Sequence, residues 1–321
     1  PTYVIAEAGI NHNGDIEIAK EMIESAQRSG ADAIKFQTFF PDELFSEVLN
    51  PELCKMAKQW SFTTLKENIQ LKKFSEKCGI EFLSTPLGKK SSGLLKKVEV
   101  KAFKIASMDL TNNELIEFLA KFKLPLIIST GMSSISEIEE ASQIPVQLKC
   151  PFALLHCVSS YPTDLKDANL MTIPFLSKMF NVPIGYSDHT IGNEACLSAV
   201  SLGANIIEKH FTLDKQMEGP DQKLSADVKQ FKNMISQIRK IEKSLGVRRS
   251  VPFSSEQKPR KMMRRSLGAS RNIPVGTKIS RSMITLIIPG SGMSTTMLEN
   301  ILGKITKKNI KKGTLLNWNS F

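Results

Sequence analysis

Along the first 215 or so residues, short apolar runs rich in β-branched side chains alternate with longer segments of helical periodicity. The runs 2–8 (TYVIAEA), 33–38 (AIKFQT), 81–85 (EFLST), 102–106 (AFKIA), 124–129 (LPLIIS), 152–157 (FALLHC), 182–187 (VPIGYS) and 205–210 (NIIEKH) have strand length. They are apolar enough to be covered on both faces, as in a parallel sheet. The segments between them, such as IEIAKEMIESAQRSG and TLKENIQLKKFSEKCG, space their apolar residues for helices, and several end in glycine, the usual helix stop. Eight such units in succession predict the α/β class and a (β/α)8 TIM barrel, because eight parallel strands close on themselves. An open doubly wound sheet would want a glycine-rich phosphate turn after its first strand, and GINHNG at 9–14 is not one.

The pattern predicts a last barrel helix at 226–246, so the barrel occupies 1–246. A polar, proline-bearing stretch at 247–265 reads as a linker. From Ser266 the texture changes to short β runs (SLGASRNI, ITLIIPG, ILGKITKKNI, TLLNWNSF) separated by glycine-bearing turns, which predicts a small β-rich domain over 266–321.

Composition narrows the class. Hydrophobic residues form 41% of the 321, enough for a proper core. No apolar run reaches membrane-spanning length. The five cysteines are odd in number and form no CxxC pair, as expected of reduced thiols in a cytoplasmic protein. The net charge of +11 is lopsided: residues 222–321 carry 21 basic and 4 acidic side chains, and the first 221 residues are net negative. A basic region can signal nucleic acid, but aromatics for base stacking are few there. The expectation is no nucleic acid and a basic surface facing water, an acidic partner or an anionic substrate.

In such barrels the active site lies at the carboxyl ends of the strands. The four histidines of the chain, His12, His156, His189 and His210, all fall at or just past predicted strand ends, which points to that rim as the functional one. Glu7, Gln37, Thr85, Ser107, Asp109, Thr130, Tyr161, Ser187, Asp188 and Glu208 collect there too, with Asp221 in a GPD turn beyond. Lys104, between Phe103 and Ile105 in an apolar strand, is expected to be the lysine of the barrel interior. One lysine with several small hydroxyls suits a phosphate dianion. Histidines with oxygen ligands suit Mn²⁺ or a similar divalent ion, with Mg²⁺ or Co²⁺ as alternatives.

At these residues the chain resembles the N-acetylneuraminate (sialic acid) synthase family, including legionaminic and pseudaminic acid synthases. The motifs are AEAGINHNG (6–14), KFQT (35–38), FLSTP (82–86), FKIAS (103–107), STGM (129–132), LLHCVSSYPT (154–163), GYSDHT (185–190), EKHFTLD (208–214) and GPDQKLS (219–225). The resemblance extends over nearly the whole chain and makes the small C-terminal module an antifreeze-like SAF domain. It implies condensation of phosphoenolpyruvate with an N-acylated hexosamine, such as N-acetylmannosamine, to a nine-carbon 2-keto acid with release of phosphate. It implies His189 and His210 as metal ligands, with Lys104, Thr85, Ser107, Ser159 and Ser187 as the phosphoenolpyruvate cradle. Glu7, Gln37, Tyr161 and Asp221 become amino-sugar contacts, Glu7 or Asp109 handles protons, and the partner is a second copy in a domain-swapped homodimer. Several positions depart from the family pattern: Ile288 stands where Arg is usual, Gln222 where His is usual, Asp109 where Glu is common and Ser159 where Asn is frequent. The rival readings are a phosphoenolpyruvate-condensing synthase for another sugar aldehyde, a metal-dependent barrel hydrolase needing no phosphate cradle, and a non-catalytic carbohydrate-binding protein.

Overall fold

The structure is a computed structural model that describes residues 1–58 and 60–321. The chain divides into two compact units, Pro1–Gly246 and Val247–Phe321.

In the first unit all eight predicted strands form: β1 (Tyr3–Gly9), β2 (Ala33–Thr38), β3 (Glu81–Pro86), β4 (Phe103–Ile105), β5 (Leu126–Ser129), β6 (Phe152–Cys157), β7 (Ile184–Asp188) and β8 (Ile206–His210). Their ladders are parallel and run β3-β2-β1-β8-β7-β6-β5-β4. The ring is completed by β4 lying against β3 without a ladder, so the TIM barrel is nearly closed by hydrogen bonds. The predicted final helix spans Val228–Leu245, and its start is fixed by a reciprocal cap between Asp227 and Gln230.

Strand periodicity decides what the barrel holds. Outward residues such as Val4, Ile34, Phe82, Leu126, Leu154 and Ile207 pack against the helices. Inward residues Ile5, Ala33, Leu83, Ile127 and Leu155 fill the barrel with an apolar layer. Two residues further along the same strands, the inward positions are Glu7, Lys35, Thr85, Ser129 and Cys157. A period of two keeps them on the inner face, so the apolar plug becomes the floor of a polar cavity at the carboxyl rim.

The second unit has its own core of Leu267, Ala269, Ile273, Ile279, Ile301, Ile310 and Leu316. Only β9 (Ser266–Ala269) and β10 (Ile284–Ile287) pair as strands, antiparallel. The run 301–310, expected as a strand, instead begins in a short helix, Leu298–Ile301, and contributes only single bridges, Lys278 to Ile305 and Ile273 to Ile310. Residues 254–256 form a 3₁₀ turn and Gln257–Met263 a helix, so the stretch read as a linker carries structure within this unit. Among the described residues, no helix is long and apolar enough to cross a membrane.

Candidate active site

The rim of the barrel encloses a cavity of about 290 Å³. Its wall includes Glu7, Gln37, Thr85, Lys104, Ser107, Ser159, Tyr161, Ser187, His189 and His210, so ten of the expected site residues converge on one space. Asp109 and Asp221 are not part of that wall. Asp109 is buried in the 3₁₀ turn after β4, where its Oδ1 accepts from Asn112 at 3.2 Å. Asp221 stands behind the wall with Oδ2 3.8 Å from His210 Nδ1.

Two opposite charges of each sign meet at the floor. Lys35 Nζ lies 2.6 Å from Glu7 Oε2 and 3.7 Å from Glu208 Oε2, and donates to Thr85 Oγ1 at 2.9 Å. Lys104 Nζ donates to Ser129 Oγ at 2.7 Å and to the Ile105 carbonyl at 3.0 Å, with Glu208 Oε1 at 3.9 Å. Ser187 donates to Glu208 Oε1 at 3.2 Å, and Gln37 Nε2 to Glu7 Oε1 at 3.1 Å. A bulge in β1 between Glu7 and Gly9 shifts the register at the point where Glu7 enters the cavity. Burial pushes the Glu7 carboxyl up to about 7 against the pull of Lys35. Burial lowers the Lys104 ammonium below its ordinary value, and Glu208 only partly offsets this. Burial alone would lower Lys35 as well, yet the carboxylates of Glu208 and Glu7 hold it above its ordinary value.

The hydroxyl side of the cradle depends on a glycine. Ser107 Oγ accepts from the Gly131 amide at 3.0 Å, and a Cβ at position 131 would lie 2.4 Å from Ser159 Oγ and 2.8 Å from Ser107 Oγ. Any side chain there would displace both hydroxyls.

Residues 22–250 match the NeuB family model, and residues 264–321 match the SAF domain model. The chain belongs to the NeuB family. It is similar to an uncharacterized protein of Methanocaldococcus jannaschii, 46% identical over 99% of this chain and 94% of that protein. It is 38% identical to the N,N'-diacetyllegionaminic acid synthase of Legionella pneumophila, over 98% of this chain and 93% of that one. Among solved structures it resembles the N-acetylneuraminic acid (sialic acid) synthetase of Leptospira borgpetersenii in complex with citrate. That match has a TM-score of 0.77 and 43% identity, and covers 81% of this chain and 90% of that chain.

Within this NeuB-family chain the four histidines divide. His189 and His210 line the cavity, their ring centroids 5.5 Å apart, with the Tyr161 ring 4.1 Å from that of His189. His12 and His156 are packing residues, which corrects the expectation that the whole set serves the site. His12 stacks on Phe62 at 4.4 Å and accepts from the Gly14 amide, and burial lowers it to about 4. His156 points outward from β6, where Nε2 meets the Ala168 carbonyl at 2.7 Å. Thr130 is likewise a strand-end hydroxyl that donates to Leu155 O.

Lys104 is not the sole interior lysine. Lys35 was missed although AIKFQT places it two residues before Gln37, on the same face. Glu208 and Ser129 also belong to the floor. Gln222, one of the departures from the family pattern, is fully buried away from the cavity. Its Nε2 donates to Asn11 O at 2.9 Å and its Oε1 accepts from Thr212, tying the loop after β8 to the loop after β1. Ile288 is 62% exposed in the second unit, so it is no part of that unit's core.

The two cavity histidines fit a divalent ion. His189 Nδ1 lies 2.7 Å from the Val158 carbonyl, which engages that nitrogen as a donor. Against the burial that lowers it, Cys157 and that carbonyl raise the ring's pKa, so an ion binding at Nε2 must displace a proton when the ring is charged. Burial, reinforced by His189 and Lys35, lowers His210 to about 3, so it is the neutral imidazole that a metal requires, and its buried Nδ1 has no hydrogen-bond partner. Among the described residues no three His, Cys, Asp or Glu side chains surround one point, so the protein offers two nitrogens and leaves the other positions to oxygen.

Proposed function

We propose that this chain is a nonulosonic acid synthase that condenses phosphoenolpyruvate with an N-acylated hexosamine and releases phosphate, using a divalent ion, Mn²⁺ first. The observation that carries the reading is the pairing of Lys35 and Lys104 with the hydroxyls of Thr85, Ser107, Ser129 and Ser187 in a cavity that also holds His189 and His210. A phosphate and a carboxylate on one small molecule require two cations and several short donors, whereas a hydrolase requires no such cradle.

When bound at His189 and His210, the ion supplies Lewis acidity to the sugar's aldehyde oxygen. Lys104 and Lys35 bind the anionic groups of phosphoenolpyruvate, and the hydroxyls fix its plane. The C2=C3 π pair of phosphoenolpyruvate forms the new bond from C3 to the aldehyde carbon, the C=O π bond breaks, and the aldehyde oxygen takes a proton to become a hydroxyl. A water then adds at C2 and the C2–O bond to phosphate breaks, leaving the keto acid. Glu7, held near neutrality, is suited to take the proton of that water, and Gln37 fixes its other oxygen. Tyr161, its ring tilted against that of His189 at 4.1 Å, covers the sugar side. Holding both reactants in one small cavity supplies much of the rate.

The SAF unit extends the proposal to a domain-swapped homodimer in which the exposed Ile288 faces the N-acyl region, so that altered acyl groups are tolerated. Solution mass and the effect of Ile288→Arg on sugar preference check this. A monomer with full activity, or an unchanged preference, overturns it. The reaction itself is tested by a phosphate-release screen with phosphoenolpyruvate, Mn²⁺ and a panel of N-acylated hexosamines. Release with at least one sugar supports it. No release with any of them, on folded protein, rejects it.

A further inference from the structure

Directly behind the two cavity histidines, on the helix-facing side of the sheet, lies a second buried ion pair. Lys209 Nζ meets Asp188 Oδ2 at 2.5 Å and also donates to the Thr190 carbonyl at 2.8 Å. Asp188 is saturated: Oδ1 accepts from Tyr186 OH at 3.1 Å and from the Thr190 amide at 2.8 Å, and Oδ2 accepts from Cys196 Sγ at 3.1 Å as well as from Lys209. Neither side chain lines the cavity. Asp188 is 1% exposed and Lys209 4%, so the pair has no solvent role.

Its place in the ladder gives it a task. Asp188 and Lys209 form the last paired rung of β7 and β8, and His189 and His210 are the residues that follow them. On the inner face of the preceding rung Ser187 donates to Glu208, so the strand pair is fastened inside and outside at successive positions. The outer pair also holds both backbone groups of Thr190, the residue after His189. From the other side, the Thr163 amide donates to the His189 carbonyl at 2.9 Å. His189 is thus clamped along its backbone, and His210, itself still paired with Glu7 of β1, follows a residue whose side chain is locked.

We infer that Asp188 and Lys209 are positioning residues that fix the separation of His189 and His210, and so set the affinity of the site for a divalent ion. The inference rests on the two-histidine ion site proposed above. A buried ion pair adds little net stability compared with a neutral pair of similar volume, whereas a partner lost from one side leaves a buried charge. The informative variant therefore removes both charges: Asp188→Asn/Lys209→Met, in the full chain. Outer partners of metal ligands typically alter metal affinity by about 10- to 100-fold.

The experiment measures Mn²⁺ dissociation constants by electron paramagnetic resonance of free Mn²⁺, with melting temperatures of the metal-free proteins alongside. Expected is a double variant that melts within a few degrees of wild type and binds Mn²⁺ about 10- to 100-fold more weakly. A folded variant with wild-type affinity overturns the inference. Should the double variant not fold, Tyr186→Phe decides, since it removes one hydrogen bond from Asp188. A roughly 2- to 10-fold weaker Mn²⁺ affinity at unchanged melting temperature supports the inference, and an unchanged affinity overturns it. Wild-type and His189→Ala proteins separate the two levels: if wild type binds no Mn²⁺, or His189→Ala binds as tightly, the ion site itself is wrong and the positioning role falls with it.

Discussion

The barrel buries charge in two ways within a few ångströms of each other. On the outer face Asp188 and Lys209 satisfy one another, with Tyr186, Cys196 and the backbone of Thr190 filling their remaining bonds. On the inner face Glu7, Lys35, Glu208 and Lys104 are equally withdrawn from solvent, yet hydrogen-bonding capacity is left over: Glu208 Oε2, Ser159 Oγ and His210 Nδ1 are buried without a hydrogen-bond partner. Leaving such groups unmet costs about 1–3 kcal/mol each unless something fills the space. The outer set is complete as scaffold, and the inner set is complete only with a ligand. Burial and charge alone do not separate the two; unfilled hydrogen-bonding capacity facing a cavity does.

The sharpest way to break that comparison is at the histidines. His189→Ala or His210→Ala should abolish metal-dependent turnover, a loss beyond the roughly 100-fold typical of outer partners. Normal activity in both variants after chelation and metal return would remove them from the site. Next come the cavity lysines. Lys104→Ala and Lys35→Ala should each lower kcat/KM for phosphoenolpyruvate by roughly 30- to 1000-fold, equivalent to about 2–4 kcal/mol, with Lys104→Ala leaving the sugar KM nearly unchanged. Steady-state kinetics with each substrate varied in turn checks this, and an unaffected phosphoenolpyruvate response rejects the cradle.

Gln222 probes the scaffold side. Because it binds Asn11 and Thr212 and does not line the cavity, Gln222→His should destabilise the fold by about 1–3 kcal/mol and leave sugar preference as it is. A changed preference at unchanged stability would put position 222 in the site. The gentlest test is pH. The folded Glu7 carboxyl titrates near 7 and its ordinary value is 4.5, so the folded protein holds that proton more tightly than the unfolded one. The resulting stability is full below about pH 4.5 and is lost as pH rises to about 7. Glu7→Gln should flatten the stability profile across that window, as read from denaturant unfolding at several pH values. A wild-type profile that rises relative to the variant there contradicts the assignment.

Much of this protein is written locally. Each of the eight strands is legible because apolar β-branched runs of strand length recur between segments of helical periodicity. The end of the barrel that carries chemistry is legible too, because a strand's period of two is enough to see Ile5 give way to Glu7, Leu83 to Thr85 and Ile206 to Glu208 on one face. Ten of the expected site residues follow from that rule together with the motifs. What periodicity cannot supply is convergence across strands. His156 and Cys157 are neighbours in sequence, yet only Cys157 faces the cavity, and His12 lies past its strand, where no alternation applies. Lys35 is on the correct face by spacing, but its contacts with Glu7 and Glu208 join β2, β1 and β8, which only the ladder order brings together. Gln222 donates to the carbonyl of Asn11, 211 positions away, a contact that no local pattern encodes. In the second unit the run 301–310 has strand composition, and packing overrides it, because a short helix buries Ile301 and single bridges suffice to bury Ile310. Sequence fixes which face a side chain takes within its own element. Which side chains meet, and whether they satisfy one another or wait for a ligand, is set by the closing of the barrel.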